Sequence, residues 1–385
     1  MAKRTIRLLW VFPSFQIGGA QSRFAALVGA LGDGYEHAVA AMDGNYDAER
    51  LIPTGVAWRR VEITAKSGDG VSLGAMWRYR RMLARERPDV LLTSNWGAIE
   101  WLLVNRGPGA APHIHFEDGL GADETADAPN ASRAWARRRA FPGKGRRFVT
   151  TSGAMRDVLS RHWGAKPSQI ELIPNGVDID RFARIEREGG RSPVRIGAIG
   201  ALRPEKRFDR LIDLIATLRE RGRDVSGMLV GDGPERAALE THAASKGVAE
   251  AVHFVGAQAD TPAFLEQMDI YSVTSEAEQA PIGLVEAMAS GLPVVATAVG
   301  DVPEMLSTAN ALFVRPSDDD SGLAAAAELL AADPRARLEV GAANKERAGE
   351  RFSLTSMAER YDALLREMAR GGNMLMLPAP EATTG

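Results

Sequence analysis

The sequence predicts an α/β protein of two successive doubly wound units, each a parallel sheet covered by helices. Three observations carry that reading. Short apolar runs alternate with helix-period patterns along almost all of the 385 residues, the order a helix-covered parallel sheet requires. A segment rich in Gly, Pro and charge interrupts the alternation at 173–193, and the pattern then restarts. The length suits two domains of about 100–200 residues each.

In the first unit IRLLWVF (6–12) reads as a strand. GGAQSRFAALVGALGDG follows, with Phe24, Leu27, Val28 and Leu31 at helical spacing and Gly32 as a stop. Further strands are expected at HAVAAM (37–42), DVLLTSN (89–95), HIHF (113–116) and RFVTTS (147–152). The segment IPNGVDIDRFARIEREGGRSP suits a linker. In the second unit VRIGAIG (194–200) is a strand and Phe208–Arg221 a helix. GMLVGDG (227–233) is a strand and PERAALETHAASKG a helix. VHFVG (252–256), IYSVTS (270–275), PVVATA (293–298) and ALFV (311–314) continue the strands. Met357, Tyr361, Leu364, Leu365 and Met368 give a last helix its apolar stripe. GGNMLMLPAPEATTG reads as a loose tail.

Composition narrows the function. Apolar residues make up 45% and charged residues 25%, so the chain can bury a large core. Lys and Arg number 47 against 50 Asp and Glu, a balance that argues against a dedicated nucleic-acid binder. The absence of Cys excludes disulfides, thiolate metal sites and Cys nucleophiles. The charge is uneven: residues 1–175 carry a net +7 and the remainder −10, so the first half is the one expected to meet an anionic surface or acceptor. The apolar run Leu8–Phe12 stops at Pro13, short of the ~7–15 residues of a secretory core. No stretch reaches the ~18–20 apolar residues of a membrane span. The expected location is therefore the cytoplasm.

The segment SEAEQAPIGLVEAMASGLPVVAT (275–297) carries the most chemistry. Pro281 suits the first turn of a helix, and Gly291 and Pro293 end it. The N–H groups of Ile282, Gly283 and Leu284 and the helix dipole would favour a phosphate. Gly283 removes a side chain where a ligand could approach. Glu286 lies one turn further in, and Glu278 lies in the preceding loop. The arrangement suits a sugar diphosphate; a capping carboxylate on a solvated helix face is the plainer alternative. Gly18 and Gly19, between a strand and a helix, let backbone N–H groups approach an anion, or simply make a tight turn. Arg203 and Lys206 follow a strand and can stabilise charge on a diphosphate, or form a solvated loop. His113 and His115 share one face of a strand that ends in EDG.

Other patterns carry less. Asp178 and Asp180 have D-x-D spacing but sit in the linker. Asp318, Asp319 and Asp320 precede a helical pattern and suit its start. The six His residues show no metal-ligand spacing, and no metal site is predicted. RAWARRRAFPGKGRR (133–147) has seven basic residues and no acid, with Trp135 and Phe141 interleaved. It reads as a solvated charge run or as a segment that docks on an anionic membrane surface.

Glu278 and Glu286, separated by seven residues, with Glu286 opening EAMASGLPVVAT, resemble the E-x7-E signature of the retaining glycosyltransferases of family 4. Gly18-Gly19-Ala20-Gln21, IPNGVD (173–178), GALRPEKRFDRLI (200–212), GDGPE (231–235) and FVG (254–256) resemble that family's segments in the same order. The resemblance implies a GT-B fold, two Rossmann-like domains facing across a cleft. It implies an acceptor domain at 1–178, a nucleotide-sugar domain at 179–352, and a helix at 353–370 returning to the first domain, before a tail at 371–385. It implies a metal-independent, retaining hexosyltransferase with a UDP- or GDP-linked donor as substrate, no separate cofactor, and a glycan or lipid-linked acceptor in cell-surface polysaccharide or glycolipid synthesis. On that reading Glu278 contacts the transferred sugar, His115 lines it, and Lys206 and Arg203 face the diphosphate. Gly18, Gly19, Gly231, Gly283, Leu284 and Glu286 hold the nucleotide. The family has Arg directly after the glycine that matches Gly200; here that residue is Ala201, and Arg203 is the nearest substitute. The rivals are a nucleotide-sugar 2-epimerase of the same architecture and a two-domain sugar-binding protein without turnover.

Overall fold

The computed structural model describes residues 4–63, 73–120, 130–258 and 260–375. The described residues up to Ile173 and from Ala358 onward form one compact unit, and Pro174–Met357 the other.

The first unit holds a seven-stranded parallel sheet: β1 (Ile6–Phe12), β2 (Tyr35–Ala41), β3 (Trp58–Arg60), β4 (Val90–Ser94), β5 (His113–Phe116), β6 (Arg146–Thr150) and β7 (Ile170–Leu172). Its spatial order is β3-β2-β1-β4-β5-β6-β7. Leu8 to Phe12 are buried on both faces of the sheet, which is why β1 reads as a continuous apolar run rather than an alternation. The strands β3 and β7 escape sequence reading because each is a three-residue edge strand without an apolar core pattern.

Crossovers between parallel strands are right-handed. The chain moves from β1 to β2 in one direction and through β4, β5 and β6 in the other. The helix Gly19–Leu31 therefore covers one face of the sheet, and the helices Leu73–Glu86, Glu100–Val104 and Ala131–Ala140 cover the opposite face.

The second unit holds six parallel strands: β8 (Val194–Ile199), β9 (Val225–Val230), β10 (Val252–Gly256), β11 (Ile270–Val273), β12 (Val294–Thr297) and β13 (Val314–Arg315). Their order is β10-β9-β8-β11-β12-β13. In both sheets the order reverses beside the first strand, between β1 and β4 and between β8 and β11. The loops that leave those strand ends diverge, which is where open α/β sheets bind ligands.

Three segments differ from the sequence reading. Of ALFV only Val314 is in a strand, the first residue of β13: Thr308–Phe313 is a 3-10 turn before it. Asn310 holds it there, accepting from Val294 N (2.9 Å) and donating to Val294 O (2.8 Å). The expected linker is built into the second unit. It contains the helix Ile179–Ala183, capped by Asp178, whose side chain accepts from Arg181 N (3.2 Å), and Phe182 and Ile185 are buried in the core. The last helix runs on to Leu375, into the stretch expected as tail; the rest of that stretch lies outside the described residues. Tyr35 and Arg147 bind this helix to the first unit through Asp362 (2.7 Å) and Glu367 (2.7 Å).

Candidate active site

The loops after β8 and β11 meet at the reversal point of the second sheet. Lys206 comes from the first and Glu278 from the second, and they form an ion pair. Ser275 Oγ donates to the same carboxylate oxygen of Glu278 (2.8 Å). Both side chains remain partly accessible, at 24% for Lys206 and 11% for Glu278, so the pair sits at a mouth rather than in the core. Arg203 is exposed and lines a pocket of about 210 Å3 with Arg207, Glu235 and His242. Neither Lys206 nor Glu278 lines that pocket.

The following helix is Ile282–Ala289, and Pro281 is its N-cap rather than its first turn. Among the described residues no side chain caps it. Leu284 is fully buried, and its N–H already donates to Pro281 O (3.2 Å). The Ile282 and Gly283 N–H groups are thus the ones placed for an anion. The absence of a side chain at Gly283 has an internal cause. A Cβ there would lie 2.7 Å from the Tyr271 hydroxyl and 3.2 Å from Ile199 O. Glu286, one turn in, is desolvated, which pushes its carboxyl up to about 7, offset in part by a hydrogen bond with Thr261 and by Arg181.

Several positioning residues escaped sequence reading. Gly300 lies at φ +52, and a Cβ there would sit 1.9 Å from Glu278 O. Asp301 N donates to Gln279 O (3.0 Å), Asn175 Nδ2 to Ala280 O (2.7 Å), and Thr297 Oγ1 to Ser275 O (2.7 Å). Together they hold the Glu278 loop by its backbone. Only the glycine in TAVGD hinted at this. Gly231 is similarly constrained: at φ +154, a Cβ would fall 1.8 Å from Gly200 O, so the loops after β8 and β9 touch through their backbones.

In the first unit Gly18 is the extended N-cap of Gly19–Leu31, and no side chain caps that helix among the described residues. A Cβ on Gly19 would meet nothing within 4 Å; internal packing does not demand glycine there. His115 departs from expectation. It is fully buried, and both ring nitrogens are engaged. Asn105 Nδ2 approaches His113 Nδ1 (3.4 Å), His113 Nε2 meets Thr93 Oγ1 (2.9 Å), Thr93 Oγ1 meets His115 Nδ1 (2.7 Å), and His115 Nε2 meets Glu117 Oε1 (3.3 Å). One proton arrangement satisfies the chain: each His donates from Nε2, and Thr93 donates to His115. His115 is thus enclosed, and its ring braces the end of β5. Burial would raise Glu117, yet the His115 hydrogen bond and the Arg137 charge hold it below the usual carboxylate range.

Arg137 donates to Glu117 (2.9 Å) and lies 3.6 Å from the centroid of the Trp163 ring. It is buried, as is Arg146, which donates to Pro142 O (2.9 Å). The basic stretch 133–147 is thus not wholly a surface run, and two of its cations belong to the core. Arg23 pairs with Asp118, the residue after Glu117, through both carboxylate oxygens (2.5 and 2.8 Å). Asn95, at φ 58 and ψ −178, accepts from Asp118 N (2.9 Å). That backbone conformation is nearly confined to Gly, and it stands at the reversal point of the first sheet.

A model described as Glycosyltransferase Family 4 matches residues 17–181, and one described as Glycosyl transferases group 1 matches residues 193–333. The chain belongs to glycosyltransferase family 4. The family 4 chain is 27% identical over 362 residues to the lipopolysaccharide core biosynthesis glycosyltransferase LpsE of Rhizobium meliloti, covering 90% of this chain and 96% of LpsE. It is 29% identical over 239 residues to the 2-deoxystreptamine glucosyltransferase of Streptomyces kanamyceticus, covering 58% of this chain and 60% of that one. The chain thus spans less than two thirds of the latter relative's length. Anabaena HepE, crystallised with UDP and glucose, superposes with a TM-score of 0.75 at 18% identity, over 94% of this chain and all of HepE. The fold is GT-B.

Proposed function

We propose that this chain is a retaining glycosyltransferase that moves a hexose from a nucleoside-diphosphate sugar to a glycan or lipid-linked acceptor, in the synthesis of cell-surface polysaccharide or glycolipid. The observation that carries the reading is the Lys206–Glu278 pair beside an uncapped helix N-terminus, at the reversal point of a doubly wound sheet. The family and the UDP-binding fold relative support it.

The chemistry follows from the residues. The diphosphate accepts from Lys206 and from the Ile282 and Gly283 N–H groups. These donors stabilise the charge that grows on the diphosphate as the glycosidic bond breaks. That supply of positive charge makes a metal ion unnecessary for leaving-group stabilisation, and metal independence is part of the proposal. Glu278, released from Lys206, accepts from hydroxyls of the sugar. Glu286 accepts from the ribose hydroxyls. The nucleotide is UDP or GDP, and the enzyme works in the cytoplasm.

The test is release of free nucleoside diphosphate from a panel of UDP-, GDP- and ADP-hexoses, with and without added ethylenediaminetetraacetate. Release from at least one donor, undiminished by the chelator, supports the reading. No release from any donor favours a sugar-binding protein without turnover, and release that the chelator abolishes removes metal independence.

A further inference from the structure

Trp77 and Trp135 are each 60% exposed, and they are the only aromatic residues among the large exposed hydrophobics of the described chain. An exposed Trp is costly to keep in water and is enriched where one side of the ring is apolar and the other wet. Trp77 lies on the helix Leu73–Glu86 and Trp135 on the helix Ala131–Ala140. Both helices pack against the short helix Glu100–Val104, on the same face of the first sheet. The two Trp residues therefore belong to one helix layer.

That layer is positive. Arg78, Arg80 and Arg81 are exposed around Trp77, and Arg138, Arg139 and Lys144 are exposed around or just beyond Trp135. Arg81 stacks over Trp77 (4.6 Å to the centroid) and Arg139 over Trp135 (4.3 Å). Among the described residues, the exposed positions of the two helices include no Asp or Glu. Glu86 is half-buried and paired with Arg59 and Arg85. Six exposed cations, two Trp rings and no exposed acid make a composite surface that neither helix makes alone.

We propose that this helix layer is a docking surface for the anionic headgroups of a lipid bilayer. The cations meet phosphate, and the two rings enter the headgroup boundary, where amphipathic aromatic side chains reside. Charge complementarity selects an anionic over a neutral bilayer. The paired rings select a bilayer over a soluble polyanion, which offers no apolar boundary. The surface goes beyond the basic stretch 133–147, since half of its cations come from residues 78–81 and Arg137 is excluded by its burial. It uses no residue of the donor site, so its failure leaves the proposed activity standing.

The experiment is cosedimentation of the full chain with vesicles of phosphatidylcholine alone or mixed with phosphatidylglycerol, at low and high salt. Binding is expected only to the mixed vesicles, and screening by salt should release the protein. Tryptophan emission should shift to the blue on binding. Arg78→Ser, Arg81→Ser and Arg139→Ser combined should weaken vesicle affinity about a hundred-fold. Trp77→Ser with Trp135→Ser should abolish the blue shift and weaken binding while the charges remain. All five side chains are exposed, so thermal melts should match wild type. Wild-type protein that stays in the supernatant with mixed vesicles at low salt overturns the proposal. So does binding that survives both sets of substitutions.

Discussion

Glu278 accepts hydrogen bonds from both Lys206 Nζ and Ser275 Oγ at the carboxyl end of β11. The cation assigned to the diphosphate and the carboxylate assigned to the sugar are thus held by one another. In the proposed mechanism a donor separates them and gives each a new partner.

Glu278→Gln removes the charge that competes for Lys206. Calorimetry should show free nucleoside diphosphate binding at least as tightly as to wild type, while turnover falls ten-fold or more, a loss on the order of 1.4 kcal/mol. Lys206→Ala should lower turnover to a similar extent and weaken nucleotide binding as well. Weaker nucleotide binding in Glu278→Gln would show that the pair is not a competitor for the diphosphate.

Glu286 gives the site a pH dependence. Its carboxyl is pushed up to about 7 by burial, and two ribose hydroxyls are best accepted by the ionised form. Nucleotide affinity should therefore rise as pH increases through about 7, and Glu286→Gln should flatten the profile. The stability effect has the opposite sign. A carboxyl raised above its unfolded value contributes stability at low pH that is lost as pH rises through the folded value. A titration of nucleotide affinity from acid to mildly alkaline pH reads the first effect directly.

Two glycines separate packing from ligand contact. Gly300→Ala forces a Cβ to within 1.9 Å of Glu278 O at positive φ, so it should lower both the melting temperature and turnover. Gly19→Ala meets nothing within 4 Å and should melt like wild type. Any loss of transfer in Gly19→Ala then reports on approach to a ligand.

His115→Ala should act on stability. It breaks the chain from Thr93 to Glu117 and leaves the carboxylate with one fewer donor in a buried site, a cost of ~1–3 kcal/mol. Denaturant unfolding measures it. Unchanged stability with a large fall in turnover would return His115 to the sugar-contacting role that the sequence suggests.

Much of the fold was legible because the strands that matter are buried on both faces. VRIGAIG and IYSVTS announce themselves by apolar run length, and helices such as Phe208–Glu220 by period. The short edge strands β3 and β7 carry no such signal. In the site, Glu278, Lys206 and a helix start within one residue of Ile282 were marked by the sequence, although each charge alone also suits a cap or a solvated loop. The supports of the Glu278 loop were not. Gly300, Asn175 and Thr297 act through backbone atoms distant in sequence, and only the folded chain brings them together. The surroundings of His115 were hidden for the same reason: a polar residue at a strand end looks exposed in sequence, and only the fold places Thr93 and Glu117 on both sides of its ring.

The most direct test of the donor site is calorimetric titration of the wild-type protein and Glu286→Ala with UDP, GDP and ADP. Wild-type protein should bind at least one of them, and Glu286→Ala should weaken that binding by ~1–3 kcal/mol, the cost of unpaired hydroxyls. A Glu286→Ala protein that binds the same nucleotide as tightly as wild type would contradict the assignment, and a wild type that binds none of the three would remove the nucleotide site altogether.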